Sequence, residues 1–263
     1  MMFKEIVRVI SNNQLALDIY EAKLYAPKIS SICKPGQFIN IMPSDSWNNV
    51  MRRPMSIASS YKDTISIIYK IFGSGTKIMS EWKQNQAVDV IGPLGNFWSG
   101  YEEKMPVLIG GGVGIAPILF LHDNLNTLNI QHITIVGAKN KKEHFLEHNP
   151  SKDIYLSTDM GGNGVKGNVI DVLNDLALSN NAVKIFGCGP HGMMNAIIDY
   201  SNKNNIDCDL ALETVMACGI GICQGCTIVK STSAKNHSYR DKYALACEDG
   251  PIFNIKELND VYC

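Results

Sequence analysis

The chain has 263 residues, 45% of them hydrophobic and 19% charged, which is ample apolar material for two compact domains and a small appendage and too much for a disordered polypeptide. A formal net charge of −1 excludes the general basic footprint of a nucleic-acid binder. The longest apolar run, 107–121, is interrupted by glycines and a proline and is too short for a bilayer-spanning helix. The N-terminal MMFKEIVRVI lacks a positive region ahead of an unbroken apolar core, so no secretory signal is read and a cytoplasmic protein without membrane contact is expected.

From Phe3 to about Gly100 the text is β-like. QLALDIY, QFINIMP, TISIIYKIF and AVDVIG are short stretches separated by Pro, Gly, Asn and Asp, a rhythm that predicts a small antiparallel β-barrel over residues 1–100. Within it, RRPMSIAS sets Arg53 three residues before Ser56 on a strand, where a guanidinium fork can meet a pyrophosphate and a hydroxyl a flavin ring. Taken alone, the motif also reads as an ordinary strand with a basic edge. Farther on, Ile68-Tyr69-Lys70 leads to Gly73-Ser74-Gly75-Thr76 and a helix start, KIMSEW, whose free N–H groups suit a phosphate. The plainer alternative is a simple capped turn with Thr76 as the cap.

At Met105 the rhythm changes. VLIGGG, HITIVGA, IYLSTD and VKIFGCG read as strands alternating with the helices APILFLHDNL, NVIDVLNDL and MMNAIIDYSNKN, which predicts a doubly wound parallel sheet over 101–205. Gly110-Gly111-Gly112-Val113-Gly114-Ile115-Ala116-Pro117 follows a strand and opens a helix, the setting of a dinucleotide-binding loop, although Pro117 takes the place of a third glycine. Gly189 and Pro190 after the last strand lie at the carboxyl edge where such sheets bind ligands; Cys188 is either a nicotinamide contact or a buried structural cysteine. His191 is read as a surface residue at a helix start. Lys139, Lys141 and Lys142 could reach a ribose 2′-phosphate, but basic loop residues are usually solvated, so NAD and NADP are not separated.

The tail, 206–263, holds Cys218, Cys223 and Cys226 in the spacing Cys-x4-Cys-x2-Cys, with Cys247 after twenty further residues. This is the pattern by which a loop wraps a 2Fe–2S cluster and a later turn supplies the fourth thiolate. A zinc ribbon is the alternative, but those mostly pair two Cys-x2-Cys knuckles and only one exists here. Gly219, Gly221 and Gly225 stand between the sulfurs, where a backbone folded tightly round an anion must reach positive φ. A tail this short needs a staple, which a cluster would provide. Cys33, Cys208 and Cys263 belong to no motif.

RRPMSIAS, IGPLGN, IGGGVGIAPI, FGCGP, MACGIGICQGC and ACEDGPIF together resemble the electron-transfer subunits of class B dihydroorotate dehydrogenases, within the ferredoxin–NADP reductase superfamily, over nearly the whole chain. The resemblance implies FAD held by Arg53, Pro54, Met55, Ser56, Ile68, Tyr69, Lys70, Gly75 and Thr76. Met55 stands where many relatives in the wider superfamily carry an aromatic residue. The resemblance further implies NAD at Gly111, Gly112, Gly114, Cys188, Gly189 and Pro190, and a 2Fe–2S cluster on Cys218, Cys223, Cys226 and Cys247. It also implies an FMN-containing dihydroorotate-oxidising catalytic partner, two of each chain in a heterotetramer, electrons passing from FMN through the cluster and FAD to NAD, and no catalytic base of this chain's own. Rivals are a similar subunit serving a hydrogenase, sulfite reductase or transhydrogenase, and a zinc-stapled nucleotide-binding protein without redox function.

Overall fold

A computed structural model describes residues 1–46, 50–178, 182–231 and 239–258. Strands β1 (Phe3–Ala16), β2 (Ile19–Tyr25), β3 (Phe38–Ile41), β4 (Arg53–Tyr61), β5 (Thr64–Lys70) and β6 (Ala87–Leu94) close into a barrel in the order β1-β2-β5-β4-β3-β6; α1 (Pro27–Ser30) and α2 (Ser74–Ser80) interrupt the series. Every pairing is antiparallel. Alternation along β1 turns Val7 and Val9 inward, where they meet Leu24, Ile41, Ile57, Ile65, Ile67 and Val90. These β-branched and aliphatic side chains suit a pleated, buried surface.

The second unit runs through β7 (Met105–Gly111), α3 (Ile115–Thr127), β8 (Ile133–Ala138), β9 (Ile154–Thr158), β10 (Val165–Lys166), α4 (Val169–Leu176), β11 (Val183–Cys188), α5 (His191–Asn204) and β12 (Asp207–Ala211). The sheet order is β10-β9-β8-β7-β11-β12-β15, parallel except for the last strand, β15 (Ile252–Asn254). Alternate residues of β7 pack on opposite faces. Val107 and Ile109 meet Val172 of α4 and Ile197 of α5, whereas Leu108 meets Ile118 and Leu121 of α3, so the sheet is covered on both sides as its apolar strands require. α3 also meets the barrel: Phe120 joins the barrel core, and Ala116 packs with Ile19, Ala58 and Ile68.

Beyond β12 come β13 (Thr227–Val229), α6 (Tyr239–Lys242) and β14 (Tyr243–Leu245), β13 and β14 forming a two-stranded ribbon. β12 and β15, both in the stretch read as the tail, complete the large sheet, and Cys226, Ile228, Ala246, Cys247 and Phe253 belong to its buried core. The tail is therefore stapled by the sheet as well as by whatever its cysteines bind.

Candidate functional site

β4 and β5 pair with Ile57 opposite Ile67, which brings the stretches 54–56 and 68–70 side by side. Pro54, Met55, Ser56, Ile68, Tyr69, Lys70 and Thr76 line one cleft of about 480 Å³, which Val113 and Gly114 of the glycine loop close from the sheet side. That volume lies within the usual range for small-molecule sites. The adjacent arginines divide. Arg52 pairs with Asp89 at 2.9 Å and donates to the Asn40 and Asp89 carbonyls, a structural brace. Arg53 lies over the first turn of α2, so close that a Cβ on Gly75 would stand 2.7 Å from its Nε. Its guanidinium, which donates through Nη1 to the Met51 and Arg52 carbonyls, therefore sits beside a helix start, an arrangement suited to a phosphate. Thr76 is not the cap expected from the sequence. Gly73 precedes the helix, and Thr76 Oγ1, one turn in, accepts from the N–H groups of Phe72 and Gly73.

β7 and β11 are neighbours at the point where the strand order reverses, the place where doubly wound sheets bind nucleotides. Their loops touch. A Cβ on Gly114 would come 2.5 Å from the Cys188 carbonyl, and one on Gly111 2.5 Å from Met193 Sδ; Gly189 abuts the Gly111 backbone. Gly112, at φ +55°, faces open space. Cys188 itself is buried among Trp98, Leu108 and Phe186, and burial pushes its thiol well above the usual range. His191 begins α5 at the surface. Lys139, Lys141 and Lys142 are exposed past the end of β8.

The four cysteines of the tail come together as two pairs. Cys226 and Cys247 sulfurs are 3.2 Å apart, and the Cys223 thiol hydrogen-bonds that of Cys218. N–H groups point at the sulfurs: Ile220 and Cys223 donate to Cys218, Gly221 to Cys247 at 3.1 Å, and Gly225 to Cys223. Gly219 at φ +71°, Gly221 at +77° and Gln224 at +56° make that inward turn of the backbone possible; Gln224 and not Gly225 takes the third positive φ. Burial works to raise the Cys218 thiol, but the N–H groups of Cys223 and Ile220 outweigh it and bring the thiol down to about 7. Cys247, desolvated and facing Cys226, is pushed up to about 12. Among the described residues no three His, Cys, Asp or Glu side chains are arranged to hold a single metal ion. Paired sulfurs with inward N–H groups instead suit two irons bridged by sulfide. Cys33 bonds the Ser30 carbonyl within the barrel unit and Cys208 lies in the sheet core; Cys263 lies outside the described residues.

Residues 213–259 match the family described as the iron–sulfur cluster binding domain of dihydroorotate dehydrogenase B. The dihydroorotate dehydrogenase B (NAD(+)) electron transfer subunit of Fusobacterium nucleatum is 37% identical, over 95% of this chain and 96% of its own length. The chain belongs to this family of electron-transfer subunits. The subunit of the same description from Bacillus cereus strain Q1 is 32% identical over 98% of this chain and 99% of its own. Among solved structures, a chain of the NADH-dependent reduced ferredoxin–NADP oxidoreductase, described in a study of flavin-based electron bifurcation, superposes with a TM-score of 0.84 at 24% identity, covering 97% of this chain and 90% of its own. Ferredoxin–NADP+ reductase from Plasmodium falciparum gives 0.62 at 17% identity, over 76% and 91%. These two likenesses are of fold.

Several residues of the subunit's cleft escaped the motifs. Phe38 of β3, Leu212, Glu213, Thr214 and Met216 before the cluster loop, and Pro251 after it all line the cavity that the barrel motifs line. Thr214 Oγ1 is buried there with no hydrogen-bond partner among the described residues, a polar atom disposed for a bound ligand. Glu213 is largely buried, which raises its carboxyl, against the pull of His191. Phe72, 99% exposed, stands at the rim. One signal was available: the run Leu212–Met216 joins a strand at the carboxyl edge of the sheet to the first cysteine, so it has to cross the cleft mouth.

Proposed function

We propose that this chain is the electron-transfer subunit of an NAD-dependent dihydroorotate dehydrogenase serving pyrimidine biosynthesis, and that it joins an FMN-bearing catalytic partner, two copies of each, in the cytoplasm. The described helices include none long and apolar enough to cross a membrane. A nicotinamide exchanges electrons in pairs and an iron–sulfur cluster singly, and a flavin does both, which assigns FAD the middle place between the other two. Arg53 and the α2 turn would hold the flavin's phosphates, Met55, Ser56, Tyr69 and Lys70 its ring and ribityl chain, and Thr214 would give its free hydroxyl to the same ligand. The loops 111–114 and 188–190 would orient the nicotinamide nucleotide at the cleft mouth, and Cys218, Cys223, Cys226 and Cys247 would hold the irons.

The observation that carries this reading is the continuity of cleft and loop. Met216 lines the flavin cleft, and Cys218 follows two residues later, at most about 7 Å of extended chain. The test is an absorption spectrum of anaerobically purified protein with flavin and iron assays, followed by titration with NADH. Flavin bands, a broad iron–sulfur envelope and bleaching by NADH are expected. Zinc with no chromophore would end the proposal, and co-purification with a hydrogenase or transhydrogenase chain in place of a dihydroorotate-oxidising one would reassign the partner.

A further inference from the structure

All four positions of β3 are buried, and three are apolar. Asn40 is the exception and is wholly buried. A primary amide is expensive in such surroundings unless it is fully bonded. Asn40 is only half bonded: Nδ2 donates to the Cys218 carbonyl at 3.0 Å, while Oδ1 has no partner among the described residues. For the barrel alone, a leucine of similar shape would serve better. The amide's one side-chain bond goes to the backbone of the first cluster cysteine.

Both ends of that bond are fixed. The Asn40 carbonyl accepts from Arg52, which also pairs with Asp89 and donates to its carbonyl. In the β3–β4 ladder Phe38, Ile39 and Asn40 lie opposite Ser56, Met55 and Pro54, all three of them cleft residues. On the loop side Gly219 comes so close that a Cβ would stand 2.7 Å from Asn40 Nδ2. One strand pair thus carries part of the flavin cleft and, through a single amide, the carbonyl of a cluster ligand.

We infer that Asn40 is a positioning residue that sets the cluster loop against the flavin-bearing strands of the barrel. It touches neither cofactor in this role; it holds the Cys218 backbone, and the close approach of Gly219 leaves the loop one seat. The inference rests on the function proposed above.

The test uses the full chain purified anaerobically with flavin and iron bound. Asn40→Leu is expected to keep its flavin and to melt no lower than the parent. Its iron should pass to a chelator about tenfold faster or more, in line with the loss of an outer-shell partner, and the EPR line shape of the dithionite-reduced protein should change. A purely structural role would move the melting temperature and leave the line shape alone. Asn40→Ala provides a second route, since it removes the donor to the Cys218 carbonyl without adding bulk beside Gly219. It should release iron faster in the same way and show the same change of line shape. Parental iron retention and line shape in flavin-loaded Asn40→Leu overturns the inference; so does parental behaviour of Asn40→Ala, should Asn40→Leu not fold. A parent chain holding no iron or no flavin overturns the functional reading instead.

Discussion

In the barrel, Val7, Leu24, Ile39, Ile57, Ile67 and Val90 all turn inward, and the hydrogen-bonded ladder closes on itself, so residues 3–94 bury a core of their own. The loop 213–226 has no such means. Val215 and Ile222 are exposed, three of its residues hold positive φ, and several of its hydrogen bonds go to sulfurs or to the barrel. Phe120 of α3 is added to the barrel core, but the barrel is otherwise a shape that its own side chains make. The loop is shaped round its contents, with β12 and β15 behind it and Asn40 and Asn96 of the barrel unit tied to its flanks. Regular structure is stabilised by repetition of one pattern, whereas an anion-binding loop relies on particular contacts, each of which can be removed singly.

The largest separation between the two regions is expected from Cys226→Ser. It should abolish the iron–sulfur absorption while the flavin stays bound and the barrel's thermal transition is kept; loss of flavin along with iron would mean the regions are not independent. Ile57→Ala attacks the other side. Deleting a wholly buried barrel side chain should cost about 2–5 kcal/mol, lowering the denaturation midpoint and weakening flavin retention before iron is released. Asn96→Ala cuts the tie between them. The Asn96 amide donates to the carbonyls of Asp249 and Ile252 and accepts from the Ile252 N–H, so its loss should cost about 1–3 kcal/mol, with proteolysis detecting cleavage near 249–252 ahead of any cut in the barrel.

Acid gives the smallest and most local effect. The chain's six histidines all lie beyond residue 100. His122, bonded to Thr134 and to His132, is lowered to about 4, by burial first and by its neighbour His132 second. Because the folded value lies below the unfolded one, this stabilisation is fully present above about pH 6.5 and is lost as pH falls from there to about 4. The α3–β8 region should therefore gain hydrogen exchange over that interval while the barrel strands hold their protection. His122→Gln should flatten the difference, and an unchanged acid profile in that variant would count against the pair as its source.

The order of the architecture and the chemistry of the cluster were present in the residue string. Strand-like stretches punctuated by turn residues, then strands alternating with helices, and finally Cys-x4-Cys-x2-Cys with a distant fourth cysteine are all local patterns, set by periodicity and by the spacing that a ligand loop requires. Arg53, Gly75 and Gly114 could be picked out because each stands in a short local motif, but what they touch came from the fold: Arg53 lies against Gly75, and Gly114 against the Cys188 carbonyl. Tertiary structure alone decided that Leu212, Glu213, Thr214, Met216 and Phe38 share the cleft of the barrel motifs, that β12 and β15 complete the sheet, that Arg52 braces while Arg53 lies over the α2 turn, and that Asn40 grips Cys218. Those contacts join residues up to 178 positions apart. They depend on how two packed units meet, and no periodicity or short motif in a chain records the geometry of such a meeting.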